Sequence, residues 1–164
     1  MAIVPPVLPP RVHSGWYVLR RVFEGWSIMI PASFDETFVH EHNYWHAYDE
    51  HRSVSLTSLL ITDDRGPVGA DAIVQQIPPS NGSPVDQLPV GLVGWAMTAD
   101  APQPAKASRI LSGMLATDGR VLLVTITSDD LDWAREVWLS IQLHRDSLPQ
   151  RDRRADTHLE RGLH

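Results

Sequence analysis

Residues 111–126 constrain the fold more than any other stretch. At their centre, Thr117-Asp118-Gly119-Arg120 supplies the Asp-Gly pair that a tight type I′ turn prefers, because both central residues of that turn take positive φ. A two-residue turn sets the register of the strands on either side. Leu115 then faces Leu122, Gly113 faces Val124 and Leu111 faces Ile126. All six positions share one face, which is read as the core side. The chain is therefore expected to build an antiparallel sheet that another layer must cover.

The covering pieces follow from periodicity. Ser128 reads as a helix N-cap, with Asp129, Asp130 and Asp132 in a first turn whose dipole favours carboxylates. The apolar stripe Leu131, Ala134, Val137, Trp138 and Ile141 has helical spacing, and Arg145 falls near the end of that helix. A shorter helix is predicted over 68–76, opened by Pro67, with Val68, Ala72, Ile73 and Ile77 facing inward. Upstream, 16–23 and 26–30 read as strands joined at Glu24-Gly25, the second ending at Pro31 where a backbone donor is lost. Residues 78–89 are turn formers and read as a long surface loop before a mostly buried strand over 90–98. The fold class is α+β: a twisted, largely antiparallel sheet with a short mid-chain helix and a C-terminal helix packed on it. One domain is expected over 16–146, after a Pro-rich arm (1–15) and before a flexible charged tail (147–164).

The most unusual composition lies in residues 38–61, FVHEHNYWHAYDEHRSVSLTSLLI, which hold four of the eight histidines. They read as a hairpin: one strand over 38–48, a break at Asp49-Glu50-His51, and a return strand alternating Val54, Leu56 and Leu60 against Ser53, Ser55, Thr57 and Leu59. Period two puts Phe38, His40, His42, Tyr44, His46 and Tyr48 on one face, with Val39, Glu41, Asn43, Trp45 and Ala47 on the other. If Trp45 points inward, the His/Tyr face is outward and suited to a protein partner, since aromatic side chains dominate contact energies. His40, His42, Tyr44, His46, Tyr48 and His51 are the candidate binding residues.

Other chemistries find less support. With no cysteine there is no disulfide, no thiolate nucleophile and no Cys-ligated metal. Imidazoles ligate zinc, nickel and copper, so His40, His42 and His46 give an alternative metal- or small-ligand site, possibly an enzymatic one. On a helix His42 and His46 would have zinc-ligand spacing, but Glu41 does not complete an H-E-x-x-H motif. No metal, cofactor or catalytic residue is assigned. There is no nucleophile elbow and no phosphate loop, and a Ser55, His51, Asp49 grouping is of the kind that can be drawn in any histidine-rich chain. The net charge of −6 disfavours nucleic acid, and no apolar run is long enough for a membrane span. Without a basic and apolar leader at the N-terminus, a bacterial cytoplasmic setting is expected. A monomer or a homodimer is expected; a homodimer would form through an edge of the sheet, and against it Pro31 and the Pro-rich arm would protect such edges. The six tryptophans are expected in the core.

One resemblance follows from the order of these pieces. Glu24-Gly25-Trp26 and Ile30-Pro31-x-x-Phe34 precede a Trp-bearing hairpin, a short helix, further strands and a final helix with Trp138 and Ile141. Over residues 16–144 this resembles the PsbP-like α/β/α sandwich of photosystem II extrinsic subunits, a Ran-binding yeast nuclear import factor and actinobacterial LpqN-type proteins. The resemblance implies the sandwich and a mostly non-enzymatic role through protein or small-ligand contacts, and it transfers no site residue. The expected function is that of a binding or interaction protein, such as an adaptor, a partner of a secretion or toxin system, or an immunity-type protein.

Overall fold

The structure, a computed structural model, describes residues 15–79, 81–101 and 108–144. The expected Pro-rich arm up to residue 14, Arg145 and the charged tail lie outside the described residues. The chain runs β1 (Tyr17–Phe23), β2 (Trp26–Pro31), β3 (Asp35–Val39), a 3₁₀ turn (His40–His42), β4 (Tyr44–Tyr48) and β5 (Ser53–Leu60). It continues through β6 (Thr62–Asp63), β7 (Gly66–Pro67), α1 (Ala70–Gln76), β8 (Ser83–Pro84) and β9 (Val93–Asp100). It closes with β10 (Arg109–Thr117), β11 (Arg120–Ser128), α2 (Leu131–Leu139) and β12 (Gln142–Leu143).

The Asp-Gly hairpin has the expected register: Leu115 pairs with Leu122, Gly113 with Val124 and Leu111 with Ile126. All six are buried. The turn itself differs from the type I′ expectation, because Gly119 (φ 75°) takes positive φ and Asp118 does not. Around this hairpin the strands order as β3-β4-β5-β11-β10-β9-β8. The pairings along this sheet are antiparallel. A smaller sheet, β1-β2-β12, lies with α2 on its inner face. α1 packs on the opposite face, where Ile73 joins Met114, Ala116 and Val121. The fold is thus α+β, with the large antiparallel sheet between two covering layers.

The middle of the inner face is built from small residues, Gly113 paired with Ala96 on β9 and Val124 on β11. That depression receives the Trp138 ring. A Cβ at Gly113 would stand 2.4 Å from Cζ3 and 2.6 Å from Cη2 of Trp138. The indole Nε1 of Trp138 donates to the Gln87 carbonyl at 2.9 Å. This contact fixes part of the segment read as a surface loop, and Val85 and Leu88 of that segment also pack against the core.

Several local expectations need correction. The N-cap of α2 is Asp130, whose carboxylate accepts from the Asp132 and Trp133 amides, while Ser128 Oγ accepts from the Asp130 amide one turn earlier. The buried side of α2 includes Trp133, which the stripe omitted. Pro67 lies in β7 rather than opening α1, whose N-cap is Gly69, and Ala72 is exposed. β9 starts at Val93, and Val90 is exposed. Trp26, Trp45, Trp133 and Trp138 are buried, but Trp16 is 88% exposed and is not core. Pro31 ends β2 opposite Tyr17 of β1, and β12 pairs the other side of β2 only at Trp26 and Ser27, so that side has no strand partner at Pro31. The edges of the large sheet are β3, with Asp35 and Glu36, and the two-residue β8 with its Pro84. Both are protected in the usual ways, by charge, brevity and proline.

Candidate functional site

The largest correction falls on the His-rich segment. Residues 38–48 are two strands, because the chain reverses at His40–His42. Asn43 closes the reversal in the left-handed region (φ 46°, ψ 47°), which asparagine tolerates better than most residues. Its amide donates to the His40 carbonyl at 3.3 Å, and its carbonyl accepts from the Ser58 amide at 3.1 Å. His40 and His42 are exposed on this turn and lie on no strand face, although the His40 ring rests 4.3 Å from that of Phe38. His51 is exposed in the β4–β5 turn at the other end of β4, 3.9 Å from Glu50.

Tyr44, His46 and Tyr48 remain together. Trp45 and Ala47 of β4 point into the core, which puts the alternate residues on the opposite face. The three rings form a ladder: Tyr44 and His46 have centroids 6.1 Å apart at 12°, and His46 and Tyr48 are 5.1 Å apart at 24°. Ser55, across from His46 on β5, is its hub. The Tyr44 hydroxyl donates to Ser55 Oγ at 3.1 Å, and His46 Nδ1 lies 2.8 Å from the same oxygen. With one lone pair of Ser55 occupied by Tyr44, its own proton can go to Nδ1, leaving Nε2–H directed away.

Cross-strand pairing extends the face. Thr37, His46, Ser55, Thr125 and Ser112 lie in one row over five strands, and Asp35, Tyr48, Ser53 and Thr127 lie in the next. α1 covers the same side of the sheet at β9 and β10, where Trp95 Nε1 donates to the Ile77 carbonyl at 2.9 Å. The β3–β5 part carries no helix among the described residues, and Thr37, Tyr48 and Thr125 are exposed. The result is a polar and aromatic platform whose rings are stacked and tied to Ser55.

A serine hydroxyl beside an imidazole is also the start of a nucleophile–base pair. Here the further parts are missing among the described residues. No carboxylate hydrogen-bonds His46 there, and the cavities of about 490 Å³ and about 310 Å³ are lined by other residues. Among the described residues no three His, Asp or Glu side chains come together as a metal site. The reversal at residues 40–42 also removes the shared strand face on which the His40, His42 and His46 ligand set rested.

The β4–β5 turn that borders the platform is held by a cluster not foreseen from sequence. Arg52 makes a two-pronged ion pair with Asp49, at 3.0 Å from Nε and 2.7 Å from Nη2. Its guanidinium lies 5.2 Å from the Phe34 centroid and 4.8 Å from that of Trp133, so it is packed against aromatic faces as well. Burial pushes the Asp49 carboxyl upward. Hydrogen bonds from the Arg52 side chain and the His51 and Arg52 amides, with the Arg52 charge, outweigh burial and hold it below 3.8. A depressed folded pKa stabilises the fold above the unfolded value, and that contribution is lost as pH falls through the folded value. Stability should therefore decline below about pH 4. Asp49→Asn should be less stable than wild type at pH 7 and lose less between about pH 4 and pH 2, as read by urea unfolding at each pH.

Comparison with known proteins adds the fold. No family model matches the chain, and no curated protein sequence matches it. Among solved structures, it is similar to a crystal structure of a protein from Bacteroides thetaiotaomicron VPI-5482, with TM-score 0.60, 10% identity and 83% of this chain covered. The chain spans about half (51%) of the length of that protein. It is also similar to the solution structure of cyanobacterial PsbP (CyanoP) from Synechocystis sp. PCC 6803, with TM-score 0.50 and 8% identity. That match covers 85% of this chain and 98% of CyanoP. At such identities the likeness is one of backbone alone, and on it this chain has a PsbP-like fold.

Proposed function

We propose that the protein is a non-enzymatic binding protein that meets a protein partner through the open sheet face centred on Tyr44, His46 and Tyr48. The observation that carries this reading is the ring ladder, stacked and tied to Ser55 on a sheet whose other side is core. Side chains already held in one arrangement lose little conformational entropy on binding. Tyrosine offers a wide apolar ring with a hydroxyl at its tip, a combination that anchors many protein contacts. The hydroxyl row beside the ladder supplies donors and acceptors for a polar rim. His40, His42 and His51 stand at the two ends of β4 and would meet the partner only at its periphery.

The test is a Tyr44→Ala/His46→Ala variant used as bait in extract of the native host. Retention of the partner taken by the wild type should fall by about tenfold or more, the loss expected when anchors near the middle of an interface are truncated. The melting temperature should stay within about 4 °C of wild type, since no fully buried group is removed. Undiminished retention, or collapse of the fold, would sink the proposal.

A further inference from the structure

A second site lies at the closed end of the β10–β11 hairpin, away from the ring ladder. A cavity of about 490 Å³ opens there, within the roughly 300–1,000 Å³ range of small-molecule sites. Its apolar wall is formed by Val90, Leu92, Val93 and Leu143, and its polar groups include Asp118, Arg120 and His144. Arg120 and His144 are brought together by the β1–β2 turn. Arg120 Nη1 donates to the Glu24 carbonyl at 3.1 Å, and the His144 amide donates to the Gly25 carbonyl at 2.6 Å. Gly25 (φ 85°) is the seat: a Cβ there would lie 3.4 Å from Arg120 Nη1, 3.4 Å from the His144 carbonyl and 3.2 Å from Leu143 Cδ1.

The balance of charge decides what could bind. His144 Nε2 is 2.8 Å from Ser27 Oγ, which orients the ring and leaves Nδ1 for another partner. Arg120 uses one N–H on a backbone carbonyl, and no carboxylate pairs with it among the described residues. A half-buried guanidinium with spare donors is a forked receptor for carboxylate or phosphate. Asp118 opposes an anion, but it is exposed, and its Oδ1 accepts from the Ala70 amide at 3.2 Å.

We infer that this cavity binds a small organic anion, its acid group on Arg120 and His144 and its apolar body against Val90, Leu92, Val93 and Leu143. Octanoate is the probe, with octanol as its uncharged match, titrated into labelled protein and followed by amide NMR. Octanoate should saturate and shift the amides of residues 90–93 and 117–120, with octanol weaker by about tenfold or more, as an Arg–carboxylate hydrogen bond implies. Arg120→Gln should bring octanoate down to the level of octanol. Asp118→Asn, which removes the like charge and keeps the side-chain shape, should tighten octanoate binding by about twofold to fivefold. Equal binding of octanoate and octanol would overturn the inference. So would an Arg120→Gln variant that binds octanoate as the wild type does, or an Asp118→Asn variant that binds it less tightly. Shifts confined to residues 44–48 would overturn it as well.

Discussion

Replacing Trp138 with alanine is expected to lower the unfolding free energy by about 3–5 kcal/mol, the cost of emptying a large aromatic site in a packed core. Trp138 is fully buried (0% exposed) and seated over Gly113 at the centre of the large sheet. Its indole also ties α2 to the 85–89 segment through the Gln87 carbonyl, so the alanine variant leaves that acceptor without its donor as well. Urea unfolding should show a lower midpoint at nearly the same slope, the pattern of a weaker native state that still unfolds in one step. A loss smaller than about 1 kcal/mol would mean that the sheet does not depend on this ring.

The converse substitution strikes the same contact from the other side. Gly113→Ala adds one methyl where the Trp138 ring already stands at 2.4 Å, so ring or strand must move. Overpacking of this kind costs about 1–3 kcal/mol. Glycine is needed at position 113 for the space it leaves, because its φ is not among the positive ones. The two substitutions should couple. With alanine at 138 the added methyl meets open space, and most of the Gly113→Ala penalty should disappear, giving an interaction free energy of about 1–3 kcal/mol in a double-mutant cycle. Additive losses would show that the ring does not rest on this strand.

The register around Gly113 was legible because its determinants are local: an Asp-Gly turn and strict alternation on both sides. The ring that fills the gap was legible only as a member of a helical stripe, since a contact between residues 113 and 138 has no local signature. In the His-rich segment, alternation put Tyr44, His46 and Tyr48 on one face and Trp45 on the other but left open which was buried, and the structure buries Trp45. Alternation failed at His40–His42, because a period-two pattern passes unaltered through a tight reversal that needs no glycine or proline. Asn43, which takes the left-handed conformation, was the one residue that could have marked it. At α2 the run Ser128-Asp129-Asp130 offers three capping side chains in succession, and which one closes the helix depends on where the first amides point. The stacking of Arg52 on Phe34 and Trp133, like the cavity at Arg120 and His144, joins residues far apart in sequence. Only the fold brings them together.

The most direct measurement of the central claim is the binding isotherm of the purified partner for wild-type protein and for Tyr44→Ala/His46→Ala, at a temperature where both are folded. Loss of about tenfold or more in affinity with an unchanged melting profile is the expected result. Equal affinities would contradict it and place the contact surface elsewhere on the molecule.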